Sequence, residues 1–380
     1  GKLGSVTVTE NGDNTARLTQ TSTADTETLV LKQTGSSSAT TNQSGKDETG
    51  NITQLGAGNI ANLTQSGDGN LSNTTQTGNT NLAVTKQSGV DGESDIIQLG
   101  NSNDADVDQS GTADSLVTQT GSSNKAKVTQ AGDAKSTITS LGNSNDVTVD
   151  QQSGADGAVS VVTNLGSNNK AKVTQKGSGD DSDILQTGDR NDATVAQDGD
   201  NESDIDQIGS RNVADVGQTG LGNVSDILQT GSRNSAKVRQ DGDNNDSDID
   251  QTFVTFSGVA AYADVDQKGA NNKSTVKQFS NSDAFVDQIG DNNTSTITQN
   301  LAFNGHVASA WQEGDNNNSI ITQNGVLGSH EASLKQVGDF NDSLILQSNN
   351  NNTASVTQTG NYNISTVNQS GANNTATVSQ

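Results

Sequence analysis

Asn234-Ser235-Ala236-Lys237-Val238-Arg239-Gln240-Asp241-Gly242 is the stretch that decides the fold. Its Asn, Ala, Val and Gln fall at every second residue, which is the side-chain period of a β-strand. The positions between them, across the chain, are mostly Asp, Lys, Thr and Arg, and therefore face water. A glycine two residues after the Gln fits a tight turn that requires φ > 0. Nothing recurs at i+3 and i+4, so a helix is excluded.

Working outward, the same unit returns throughout the chain. Gln54, Gln65, Gln76, Gln87, Gln98 and Gln109 are each 11 residues apart, and the step recurs at Gln207, Gln218, Gln229, Gln240 and Gln251. Allowing for turns of uneven length, 34 equivalent positions run from Glu10 to Gln380, and only Glu10, Ser140 and Asn164 among them are not Gln. A longer period lies in the small-residue slot, which alternates as Ser203, Ala214, Ser225, Ala236, Ser247 and Ala263, with Val147 as the one break between residues 94 and 376. The true repeat is therefore about 22 residues, one Ser-type and one Ala-type strand. The chain reads as a single continuous all-β, two-sided β-solenoid, cross-β and amyloid-like, of about 17 stacked strand-turn-strand rungs over residues 1–380. Longer turns are expected at 252–261, 300–305 and 324–329, all on one edge.

Composition agrees with this reading and excludes others. Only 28% of the 380 residues are hydrophobic and 2% aromatic, too few to close several globular cores, yet there is no proline and the periodicity opposes disorder. A net charge of −25 disfavours nucleic acid and anionic membranes. No run approaches the ~18 apolar residues that span a bilayer. The opening Gly1-Lys2-Leu3-Gly4 is not a signal peptide, and zero Cys removes disulfides, thiolate catalysis and zinc ribbons together.

Each strand of about seven residues spans roughly 23 Å. Rungs about 4.8 Å apart make a column roughly 80 Å long. One rung buries too little to offset ordering about 22 residues at ~1–2 kcal/mol each. Stacking supplies the remainder, because strand N–H and C=O groups pair with the next rung and equivalent amides form ladders. In the central stretch the ladder slots are Gln186, Asn191, Gln197, Asn201, Gln207, Asn212, Gln218, Asn223, Gln229, Asn234 and Gln240. The turn glycines are Gly188, Gly199, Gly209, Gly220, Gly231 and Gly242. A carboxylate in a ladder slot is not expected, since it would stack like charges in a dry core. The last segment, Asn374 to Gln380, is a full consensus strand without a cap, and Val6 to Glu10 is uncapped too, so matching edges are expected to template head-to-tail homopolymerisation.

The run Gln186-Thr187-Gly188-Asp189-Arg190-Asn191-Asp192-Ala193-Thr194-Val195-Ala196-Gln197 resembles the curlin repeat of bacterial curli subunits. The resemblance covers essentially the whole chain. It implies a secreted, extracellular functional amyloid of the biofilm matrix, a cell-surface fibre used for scaffold and adhesion. It also implies a nucleator subunit, an outer-membrane secretion pore and a periplasmic chaperone as partners, besides the chain itself. The familiar major subunits carry only a handful of repeats, and the export segment that precedes them is not evident here.

Three groups of side chains stand out from the repeat. Glu202, Asp204 and Asp206 point outward on one strand and Asp246, Asp248 and Asp250 on another, while Asp183, Asp204, Asp226 and Asp248 share one slot. They read as a solvated acidic face or as oxygen ligands for Ca²⁺. All nine aromatics lie after residue 250, and alternation turns Tyr262, Phe285 and Trp311 outward on adjacent rungs. They form a candidate interaction patch or mark harmless drift. His306 and His330 occupy the Asn slot of adjacent rungs, as simple substitutions or a stacked metal-binding pair. No nucleophile elbow, Walker loop or His-Glu-x-x-His motif occurs, so no enzyme and no cofactor is expected. The alternative to a fibre is a monomeric secreted solenoid that binds ice, a glycan or, as an adhesin, calcium.

Overall fold

Alternating inward and outward side chains give strands, and strands of a two-sided coil can pair only with their next-but-one neighbours. The computed structural model has this arrangement. It describes residues 4–21, 26–252, 260–300, 305–325 and 328–380. The inner parts of the three longer turns (253–259, 301–304 and 326–327), with Phe253, Phe256 and Phe303, lie outside the described residues. Every regular element among the described residues is a β-strand, and the strand pairs whose registers are resolved are all parallel. The chain divides into two units, Gly1–Asp189 and Arg190–Gln380. Each is a two-sided β-solenoid.

In the first unit the strands Glu93–Asn101, Asp114–Ser122 and Lys135–Asn143 stack with Ser94, Ser115 and Ser136 in one column and Ile96, Val117 and Ile138 in the next. Between them in sequence, Asp104–Ser110, Lys125–Ala131 and Asp146–Gln151 form the opposite sheet, with Gln109, Gln130 and Gln151 aligned. Val147, the break in the small-residue alternation, simply fills the Ala slot and is fully buried.

The second unit repeats the scheme. Along Asp192–Ser210 and Val213–Ser232 the register runs Ala193 to Ala214, Val195 to Val216 and Gln197 to Gln218, then Ser203 to Ser225, Ile205 to Ile227 and Gln207 to Gln229. The core is a seam between the sheets. Its Ser-type wall carries Ile205, Ile227, Ile249 and Ile297 and its Ala-type wall Val216, Val238 and Val265, all inaccessible to water. A column of valine or isoleucine contributes about 1.5–3 kcal/mol per buried side chain. The small slots let the two backbones approach. The hydroxyls of Ser203, Ser225, Ser247 and Ser274 are buried there without a hydrogen-bond partner, and nothing in the packing explains Ser in place of Ala.

Candidate functional site

In the second unit the fold places a glutamine at the same height in each coil, and the geometry gives its amide hydrogens and oxygen partners. In the second unit Gln207 Nε2 donates to Gln229 Oε1 at 2.8 Å, and Gln229 Nε2 to Gln251 Oε1 at 2.8 Å. On the facing sheet Gln197 donates to Gln218 at 3.0 Å and Gln218 to Gln240 at 2.9 Å. The second Nε2 hydrogen crosses the core: Gln229 donates to the Val213 carbonyl and Gln240 to the Val224 carbonyl, each at 2.9 Å. In the first unit Gln186 donates likewise to the Lys170 carbonyl at 2.9 Å. Each amide thus joins one coil to the next and one sheet to the other. Such bonds are worth roughly 0.5–1.5 kcal/mol net, and a buried donor or acceptor left without one costs about 1–3 kcal/mol.

Asparagine does a different job. The main-chain N–H of Asn212 donates to Asn191 Oδ1, and that of Asn234 to Asn212 Oδ1, both at 3.0 Å. Asn223 Nδ2 donates back to Asn201 Oδ1 at 2.9 Å and forward to the Gly242 carbonyl at 2.7 Å. Asn191 and Asn212 hold the carbonyls of Gly209 and Gly231 at 3.1 and 3.2 Å. The asparagine slot therefore pins the turn of the following coil.

Those turns need glycine for two reasons. Gly188, Gly199, Gly209, Gly220, Gly231 and Gly242 all have φ between 112° and 142°. A Cβ at Gly209 would also collide with the Gly231 carbonyl one coil on. Sequence reasoning missed the second positive-φ residue of the same turn: Arg190, Arg211 and Arg233 stand at φ 62°, 61° and 65°, each just before an asparagine slot. An arginine gives no signal of a left-handed conformation; only its fixed distance from the Gly does.

The ladders are not unbroken. The expectation that carboxylates avoid ladder slots fails at Glu27, Glu48 and Asp180, all buried in the first unit. Glu48 Oε1 accepts from Asn70 Nδ2 at 3.1 Å, but Oε2 has no partner. Burial pushes Glu48 up to about 7, against the pull of that bond, with Glu27 adding repulsion. The shift favours the neutral carboxyl, which is less costly to bury than the carboxylate.

His306 and His330, in the second unit, stack in the asparagine slot with ring centroids 4.8 Å apart and planes 21° from parallel. Each takes over the asparagine role, His306 Nδ1 accepting the N–H of His330 at 3.1 Å and His330 Nδ1 that of Asn352 at 3.2 Å. With Nδ1 an acceptor, the proton sits on Nε2. His330 Nε2 meets the Asn324 carbonyl at 3.1 Å. Burial, then the neighbouring His330, lowers His306 to about 4, against the pull of the Asn300 backbone.

The outward rows lie where alternation puts them. Asp204, Asp226 and Asp248 stack in register in the second unit, and Asp183 sits on a strand of the first. Burial raises Asp226 and Asp248, with neighbouring carboxylates adding to both and Lys277 opposing at Asp248. Among the described residues no three His, Asp or Glu side chains gather around one point. Tyr262 and Phe285 touch, ring centroids 5.7 Å apart, and Lys335 Nζ lies 5.4 Å from the centre of the Trp311 ring. A further exposed pair, Phe340 and Tyr362, stacks at 5.1 Å with planes 5° apart. Both occupy the left-handed turn position, with φ of 56° and 59°, which a reading confined to strands overlooks.

The curlin associated repeat matches six segments of the chain, residues 100–132, 166–199, 225–252, 258–300, 331–360 and 349–380. Among curated proteins no match is found.

Two substitutions test the geometry. Gln229→Glu removes both donors and adds a buried charge, so it should destabilise the fold by about 3–5 kcal/mol at neutral pH and less in acid, where the carboxyl regains a proton; urea unfolding at both pH values measures this. For His306 the folded value of about 4 lies below the ordinary 6.5, so the unfolded chain takes up the proton first and stability is lost as pH falls through that window. His306→Asn should therefore raise Tm more at pH 5 than at pH 7.5 by calorimetry.

Proposed function

The chain belongs to the curlin-repeat family, and from that premise we propose that it is a structural subunit of an extracellular, curli-like functional amyloid fibre that grows by strand-edge templating. The family is structural, and the stacking chemistry that recurs through the chain's own repeats serves the same end. The supporting observation is the equivalence of the coils: residue types in register across strand pairs repeat as Ala-Val-Gln and Ser-Ile-Gln. An edge that accepts the next coil of its own chain offers the same N–H, C=O and amide groups to a coil of another copy.

The charge pattern fits that use. Most carboxylates of the strands lie on the outer face, Glu27, Glu48 and Asp180 being buried exceptions, and the seam between the sheets of each unit is built of apolar, amide and serine side chains. The substrate of the process is the chain itself, and its products are a scaffold and an adhesive surface for cells.

Purified, desalted chain held for hours should form unbranched fibres in negative-stain microscopy and bind amyloid dyes without cofactor. Sheared fibres should abolish the lag of a fresh solution. A chain that stays monomeric at high concentration, with no response to seeds, contradicts the proposal.

A further inference from the structure

The outward face of four strands in the second unit, Tyr262–Lys268, Asp283–Ile289, Val307–Glu313 and Glu331–Val337, differs from the rest of the column. Two rows of side chains cross it. One runs Asp264, Phe285, Ser309, Ser333, and the next Asp266, Asp287, Trp311, Lys335. The short serines following Phe285 leave a floor beside the Trp311 ring, and the result is a trough of about 410 Å³. That volume lies in the range of small-molecule sites, roughly 300–1,000 Å³.

Its chemistry is selective. Phe285 and Trp311 are 39% and 41% exposed, high for large rings, so they present apolar surface to a ligand. Asp287 Oδ1 is shielded from water yet has no hydrogen-bond partner, which leaves an acceptor short of a donor. Three carboxylates, Asp264, Asp266 and Asp287, line it against two cations: Arg239 lies 3.9 Å from Asp264 and Lys335 Nζ lies 5.4 Å from the centre of the Trp311 ring, while Lys268, outside the lining, lies 3.4 Å from Asp266. The lining thus has no excess positive charge with which to hold an anion, and a chain of net charge −25 repels polyanions. A ligand that offers hydroxyl donors at its edge and C–H surface on its face, without negative charge, satisfies all three conditions.

We propose that this trough binds a neutral oligosaccharide, with Phe285 and the Trp311 face that Lys335 leaves free packing on sugar faces and the Asp287 carboxylate turning to accept a sugar hydroxyl. Ser309 and Ser333 flank the path with further hydroxyls. The sugar lies across the stacked strands, so a fibre or a single chain would carry the same site.

Trp311 is the chain's sole tryptophan, so its emission reports the site alone. The full-length chain is titrated with glucose hexamers in β-1,4 and α-1,4 linkage and with a hexamer of galacturonic acid. A saturable change with at least one neutral hexamer and none with the acidic one supports the site. Phe285→Thr and Asp287→Asn, both on the outer face and compatible with the repeat, should each weaken it at least about tenfold. Circular dichroism of each variant confirms that the strands remain. No response to either neutral hexamer, an equal response to the acidic one, or undiminished binding in both variants overturns the proposal. So does an emission change that follows protein concentration without sugar, which would assign the face to a second copy.

Discussion

A glutamine amide buried between two sheets has two hydrogens to give and one oxygen to satisfy, and the whole architecture follows from the only arrangement that satisfies them all. Gln229 gives one hydrogen to Gln251 and one to the Val213 carbonyl, and its oxygen receives from Gln207. The first contact fixes the distance between coils and the second fixes the distance between sheets. An isosteric carboxylate has no hydrogen to give, and an apolar residue leaves a carbonyl without its donor on each side. The asparagine ladder runs in the opposite sense, with Asn223 Nδ2 donating to the coil before it, so the two rows of amide dipoles oppose each other. It adds a third constraint by holding the turn carbonyl of Gly242.

Seen from the sequence, this frame is plain wherever side-chain identity alone carries the signal. The two-residue alternation gave the strands, the Gln spacing gave the coil, and the Ser/Ala alternation gave two strands per coil. Outward placement of Tyr262, Phe285 and Trp311 followed from the same count. The rest depends on main-chain conformation or on partners far away in sequence. Arg211 and Arg233 adopt a left-handed φ that no arginine advertises. The cross-core bond from Gln229 to Val213 needs the facing sheet in place before it can be read. Glu27 and Glu48 run against the expected chemistry, and only their burial shows that the core accepts a carboxyl once its proton affinity is raised.

The exceptions show how much tolerance the ladder has. His306 and His330 enter the asparagine slot because a neutral imidazole nitrogen can accept the same N–H. Ser140 and Asn164 enter the glutamine slot of the first unit, and both Asn164 side-chain atoms stay without partners. A repeat this regular distributes its stability over many equivalent contacts, so one imperfect coil is carried by its neighbours. The same logic frees the outer face, since outward residues take no part in the ladders and can diverge into acidic rows or an aromatic trough without disturbing the stack.

Hydrogen exchange of the glutamine side chains tests the central claim most directly. In protein labelled with ¹⁵N at glutamine, the Nε2 hydrogens of ladder residues such as Gln229 and Gln240 should exchange as slowly as the main-chain amides of the strands around them. Side-chain amides that exchange at the rate of free glutamine while the main chain stays protected would mean that the strands stack without the ladder, and the account would be wrong.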